Sequence, residues 1–365
     1  MINLYTLYHL AEGFYTGLSR HLPGGYAMPP LQLAIELTYR CNLKCEMCYI
    51  QNQISDRHLK ATNPNNEPSL TDIQQIIDQT PPWCLIIFTG GEPFARTDTM
   101  QILQYATRKR RCHLVTNGTL ITNDMARNLV DLGLLSIGFS IDGDAQTHDQ
   151  VRGIDGSYER TMRAVRTVRE YRLAQGRRLP LINLKTVITH SNVNQLDKIA
   201  GIAQEIGADY CTFQIVNQSL WISGIDPQDE TGVFQSPPAP IADFDTKVLE
   251  RQLAALAQMS RHNGTQIRFL PSFSSQEILA HYSNRFDVRN YSCGTPWSGI
   301  NVSAQGIVFP CFNYRAGNLS TESLASVWNG KRYRAFRQSL KRDGLWAGCV
   351  GCCDLTHRKM QFRHD

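Results

Sequence analysis

The chain lacks any apolar run long enough to cross a membrane. The most continuous one, Cys84-Leu85-Ile86-Ile87-Phe88, stops after a handful of residues, where a spanning helix needs roughly 20. It also lacks blocks of like charge apart from Arg108-Lys109-Arg110-Arg111, and its 37 basic and 32 acidic side chains leave a net charge of only +5. No nucleic-acid partner is expected from so mild a balance, which argues only weakly for an anionic ligand. Internal repeats and low-complexity tracts are missing, which sets aside collagen-like and disordered readings. Residues 1–30 show neither a basic leader ahead of apolar residues nor a small-residue cleavage signal, so we read them as mature protein and expect a cytoplasmic location.

What the chain does have is cysteine, 11 in all, and unevenly spread. Cys41, Cys45 and Cys48 share one eight-residue window, and five more lie between Cys293 and Cys353. Only Cys84, Cys112 and Cys211 stand alone, in or beside apolar strands, where burial is the expected role. Without an export signal disulfides are not expected, and cysteines grouped this way point to metal or cluster ligation.

After an N-terminal extension, residues 1–30, Pro29-Pro30 breaks any helix and an apolar extended stretch begins at Leu31. Strand-like and helix-like segments then alternate: Leu85 to Phe88, His113 to Val115, Leu135 to Ile141, Ile182 to Ile188 and Tyr210 to Val216 as strands, with helical patterns between them. Six strands with crossover helices predict an α/β fold, a partial (βα)6 TIM-like barrel over residues 31–225. A connecting segment follows over 226–286, with a proline-rich stretch at Pro227 to Pro240 and a helix around Lys247 to Ser260. Residues 287–365, punctuated by glycine and cysteine, read as a small metal-stapled module. Barrel folds carry their chemistry on the loops after the strands' carboxyl ends.

The first such loop is Cys41-Asn42-Leu43-Lys44-Cys45-Glu46-Met47-Cys48. Three thiols at these spacings also suit one buried helix face. An iron-sulfur cluster usually takes four thiolates, so three around a cubane leave one iron open to a ligand from solution. Here the sequence resembles the radical S-adenosylmethionine (SAM) enzymes, whose signature places an apolar or aromatic residue before the last cysteine, as Met47 stands here. The resemblance implies a 4Fe-4S cluster on Cys41, Cys45 and Cys48 whose open iron binds SAM. Reductive cleavage of SAM then gives a 5′-deoxyadenosyl radical that abstracts hydrogen from substrate, with orientation supplied by the protein.

Other strand ends fit the same family. Gly90, Gly91, Glu92 and Pro93 form its Gly-Gly-Glu-Pro turn, which implies that backbone and glutamate hold the SAM ammonium; the glycines allow close backbone approach, although a tight strand-to-helix turn needs the same residues. Thr116 and Asn117 after strand three suit ribose or carboxylate oxygens. Ser140, in Ser140-Ile141-Asp142-Gly143, occupies a position that implies SAM contact, and Arg152 or Arg163 is expected to pair with the SAM carboxylate or to serve as a solvated helix charge. Asp142 and His148 suit acid-base work or loop capping.

In the tail, Cys293, Cys311, Cys349 and Cys352 supply the four thiolates that a closed 4Fe-4S cluster or a tetrahedral zinc needs. The spacing resembles the auxiliary-cluster extension called SPASM, or its shorter version Twitch. Five cysteines are too few for the full SPASM set, so the resemblance implies one auxiliary 4Fe-4S cluster on those four. Cys353 is left as a replacement ligand, a spectator or a thiol hydrogen donor beside substrate.

Family membership implies an enzyme, an oxidoreductase or isomerase, needing a reductant such as flavodoxin or ferredoxin. We expect it to modify a ribosomally made peptide, by crosslinking or epimerisation, in natural-product biosynthesis. The alternative is oxidation or epimerisation of a small metabolite such as an amino sugar or aminocyclitol. A non-catalytic iron-sulfur electron carrier is disfavoured, because a carrier needs neither the Gly-Gly-Glu-Pro turn nor a vacant iron.

Overall fold

Period-two apolar patterns make the strands and wider amphipathic patterns make the helices that cross between them. The computed structural model describes residues 4–48, 50, 66–217, 239–259, 264–311 and 314–357. Its strands β1 (Gln32–Glu36), β2 (Leu85–Thr89), β3 (Cys112–Thr116), β4 (Ser136–Ser140), β5 (Leu181–Val187) and β6 (Tyr210–Gln214) pair in parallel in sequence order. These are the six strands expected from the alternation. The fold is α/β, a mostly parallel, open barrel-like sheet with a C-terminal module. No helix among the described residues is long and apolar enough to cross a membrane.

Most of the proline-rich stretch Pro227 to Pro240 lies outside the described residues. The rest of the segment read as a connection does more than connect. After the helix Thr246–Met259, β7 (Gln266–Leu270) adds a seventh parallel strand against β6. The tail also enters the sheet. Beyond β8 (Tyr291–Cys293), β9 (Gly299–Val302) pairs in parallel with β1, and β10 (Ile307–Phe309) and β11 (Gly317–Asn318) continue antiparallel from it. The N-terminal extension is a helix, Leu4–His21, docked on the tail: Ser19 Oγ donates to the Trp297 carbonyl at 3.1 Å and Arg20 lies over the Trp297 ring.

One row of each strand is apolar and buried under the helices. Ile86, Phe88, Leu114, Phe139, Leu184 and Phe213 belong to it, packed with helix residues such as Ile77, Leu103, Leu129, Val168 and Ile199. Each such side chain is worth about 1.5–3 kcal/mol of burial. The lone cysteines Cys84, Cys112 and Cys211 are buried as expected. The opposite row is polar from β3 onward: His113 bonds Ser136 at 2.7 Å, Thr212 donates to Asn183 at 2.9 Å, and the Arg268 guanidinium lies over the Tyr210 ring. Parallel strands covered on both faces are usually apolar on both. A polar inner row instead lines a space.

Candidate active site

The cysteine loop is held in place by backbone. Lys44 N–H donates to the Arg152 carbonyl at 3.1 Å and Glu46 N–H to the Val151 carbonyl at 3.0 Å. These contacts need a bare Cα at Gly153, which caps the helix Ala145–Arg152 at φ +71°, because a side chain there would come within 2.8 Å of the Lys44 carbonyl. The Gly-Gly turn fixes the other flank. Gly91 N–H donates to Thr38 O and Glu92 N–H to Arg40 O, at 2.8 and 2.9 Å. A Cβ on Gly91 would sit 2.3 Å from the Arg40 carbonyl oxygen, and Gly90 has φ +127°. The pair is therefore required by the chain's own strand leading into Cys41.

These elements surround a cavity of about 250 Å³ at the carboxyl ends of the strands. Cys41, Cys45, Met47, Cys48, Gly90, Gly91, Thr116, Asn117, Ser140 and Arg152 all line it. Two hydrogen-bond donors point at the sulfurs: Arg152 Nη1 lies 3.5 Å from Cys45 Sγ, and Asn117 Nδ2 lies 3.9 Å from Cys41 Sγ. Burial pushes the Cys41 thiol up to about 11. Such thiols become thiolates when donors and a cationic centre hold the charge, so the donor set fits an iron-sulfur cluster.

Three expected site residues stand elsewhere. Glu92 is buried behind the cavity, where its carboxylate accepts from Thr116 Oγ1 (2.7 Å), Asn117 N–H (2.7 Å) and Phe94 N–H (3.1 Å). Burial pushes that carboxyl up to about 7, against the pull of these donors. Its acceptor capacity is thus spent on aligning the end of β3. Pro93 is buried at the start of the next turn. Arg163 is exposed on the helix Ser157–Ala174 and does not line the cavity. Of the two arginines, Arg152 is the one in place, because its short helix ends on the cysteine loop.

Asp142 and His148 support Arg152. Arg152 Nε donates to Asp142 Oδ2 at 2.5 Å, and Val187 N–H donates to Asp142 Oδ1 at 3.2 Å. His148 Nδ1 accepts the Asp142 N–H at 3.2 Å, and burial, with Arg152 nearby, drives the ring down to about 3. The ring is neutral and holds the loop. The composition of the strand ends also yields lining residues not singled out from sequence: Lys185, Thr186 and Val187 on β5, and Gln214, Val216 and Asn217 on and after β6. The strand-end rule that points to Thr116 applies to them equally.

The tail thiols gather separately. Cys293 ends β8 opposite Leu355 of β12 (Leu355–His357), and its buried thiol is pushed well up, with Asp354, Cys311 and Cys349 adding to the effect. Cys352 is raised by contact with Cys353 and then by burial. Cys353 also lies 3.9 Å from Asn217 Nδ2, so it stands between this group and the first cavity.

Comparison with known proteins finds a match over each of the two regions that carry these groups. Residues 35–189 match the family model of the radical SAM superfamily, and residues 293–353 match that of an iron-sulfur cluster-binding domain, SPASM. The AdoMet-dependent heme synthase of Methanosarcina barkeri is 26% identical over 88% of this chain and 88% of its own. The mycofactocin maturase MftC of Mycobacterium ulcerans is 31% identical over 89% of this chain and 80% of its own. Among solved structures, Streptococcus suis SuiB bound to its precursor peptide SuiA superposes with a TM-score of 0.62 at 16% identity, covering 91% of this chain and 71% of that one. From these matches and the two thiol groups, the chain belongs to the radical SAM superfamily, with a C-terminal SPASM domain and the family's cofactors, SAM and 4Fe-4S clusters.

Proposed function

We propose that Cys41, Cys45 and Cys48 hold the 4Fe-4S cluster that binds SAM, and that the enzyme acts on an unactivated carbon-hydrogen bond of a ribosomally made peptide, by crosslinking or epimerisation. The observation that carries this reading is the sharing of one cavity by those three thiols with the strand-end groups Thr116, Ser140 and Arg152. When bound, the reduced cluster supplies the electron that cleaves SAM to methionine and a 5′-deoxyadenosyl radical.

The chain's own residues orient that chemistry. Gly90 and Gly91 offer backbone to the bound SAM, Met47 packs beside it, and Thr116, Asn117 and Ser140 present hydroxyl and amide groups. Arg152, steadied by Asp142, offers a cation to the SAM carboxylate and a hydrogen bond to Cys45. Glu92 contributes by holding Thr116 and Asn117. Cys293, Cys311, Cys349 and Cys352 hold one auxiliary cluster, and Cys353 is a candidate hydrogen donor on the cavity side. A flavodoxin or ferredoxin is the reductant by class.

The peptide reading draws on the 31% identity to a maturase across most of both chains. A small carboxylated metabolite such as a tetrapyrrole is the second reading, favoured by the heme synthase match over 88% of each chain. Anaerobic incubation with SAM and dithionite tests the common part. 5′-Deoxyadenosine should accumulate, and Cys45→Ala should abolish it. Iron should fall from about eight to about four per chain in a Cys293→Ala, Cys311→Ala double variant. A fully clustered wild type that forms no 5′-deoxyadenosine refutes the assignment.

A further inference from the structure

Several arginines of the barrel have a carboxylate partner. Arg152 has Asp142, Arg172 has Asp209 at 2.7 Å, and Arg96 has Asp98 at 2.6 Å. Lys185 is different. It leaves the middle of β5 toward the interior, its stem lying across Gly138 of β4, where a Cβ would come within 2.7 Å of Lys185 Cδ. Its side chain lines the same cavity as the three thiols, and no carboxylate of the described residues pairs with it. The titratable neighbours nearest it are the Cys353 thiol and another basic residue, Arg268, two strands along on β7.

The wall around Lys185 is polar. Asn183 and Thr212 bond each other, His113 bonds Ser136, and burial, with Lys185 and Arg268 nearby, drives His113 down to about 3. Burial likewise pulls the Lys185 ammonium below its ordinary value. A partly buried cation without a counter-charge is less well solvated than one in water, and the charge of Arg268 close by adds repulsion. An anion arriving from outside removes that cost and gains charge-assisted hydrogen bonds.

We propose that Lys185, with Arg268 beside it, is a carboxylate-binding subsite that anchors the substrate at the inner wall of the cavity, between the Cys41–Cys48 loop and Cys353. The proposal rests on the reading of this cavity as the reaction site, and deepens it by naming a substrate that carries a carboxylate close to the bond that reacts. Two sources share that chemistry: an acidic side chain of a peptide, and the propionate of a tetrapyrrole. Glycine at position 138 is part of the device, since any larger residue would displace the lysine stem.

Binding is measured by anaerobic calorimetric titration of the clustered, SAM-loaded protein. The probes are a short capped peptide with one glutamate, the same peptide with glutamine, coproporphyrin III, and its tetramethyl ester. At least one acid should bind the wild type about tenfold or more tightly than its neutral counterpart, the scale of one charge-assisted contact. Whichever acid does so names the source. The preference should vanish in Lys185→Met and return in part in Lys185→Arg, with iron content and circular dichroism checked in both. The proposal is overturned if neither acid is preferred by the wild type, if neither binds, or if the preference survives in Lys185→Met. Wild-type 5′-deoxyadenosine formation is assayed in parallel. Its absence with the carboxylate preference intact sinks the radical reading and leaves the subsite standing.

Discussion

The cavity has two sides that differ in how their polar groups are satisfied. Around the ends of β2, β3 and β4, Glu92, Asn117, Asp142 and Arg152 are bonded to one another's segments or to the cysteine loop. Toward β5 and β7, Lys185 faces the same space with no acidic partner among the described residues. One side is finished by the fold and keeps its shape without a ligand. The other is left to be completed by something that enters.

Removing a charge from each side should therefore have opposite effects. Arg152→Ala leaves Asp142 buried without its cation, at a cost of about 3–5 kcal/mol, seen as a large drop in the thermal midpoint of the intact protein. A drop no larger than that of an exposed arginine would erase the contrast.

Glu92→Gln probes the finished side more gently. The amide replaces one of the two acceptor oxygens by an NH2 that faces at least one of the three donors, so about 1–3 kcal/mol is expected to be lost. The loss should also depend on pH. A carboxyl raised from 4.5 to about 7 by burial binds its proton more tightly folded than unfolded. Its contribution therefore declines as pH rises between those values, by up to about 3 kcal/mol, and is constant above them. Denaturant midpoints of wild type and variant, compared from pH 5 to pH 8, should accordingly show the gap narrowing toward pH 7. A gap that stays constant over that range would mean that the donors outweigh burial and Glu92 stays ionised.

The smallest effect is expected on the open side. Lys185→Met keeps the stem and removes the unmatched charge, so stability should hold or rise by about 1 kcal/mol. A clear loss of midpoint would assign Lys185 a structural partner and close the contrast from that end.

Much of this was legible in the residues themselves. The six strands follow from short apolar runs separated by helical patterns, and Cys41, Cys45, Cys48, Gly90, Gly91, Thr116, Asn117, Ser140 and Arg152 follow from their place after those strands taken together with the motifs of the radical SAM family. What was not legible depends on contacts distant in sequence. Gln266–Leu270 reads as polar because Arg268 sits at its centre, and only its pairing with β6 makes it a strand. Arg152 and Arg163 are alike as helix cations until the Gly153 cap is seen to abut Lys44. Glu92 carries a motif position, yet its direction is set by the backbone of Asn117. Lys185 is a single lysine within a largely apolar strand pattern, and only the packing of its stem over Gly138 turns it to the cavity.

The pairing of Gly299–Val302 with Gln32–Glu36 bears on how the two thiol groups relate mechanically. One continuous ladder of main-chain bonds runs from the strand that feeds the first group into the module that carries the second, so neither can swing without tearing sheet. Distances between redox centres placed there would be set by a shared backbone, and deleting the tail would bare the edge of β1 to pairing with another chain.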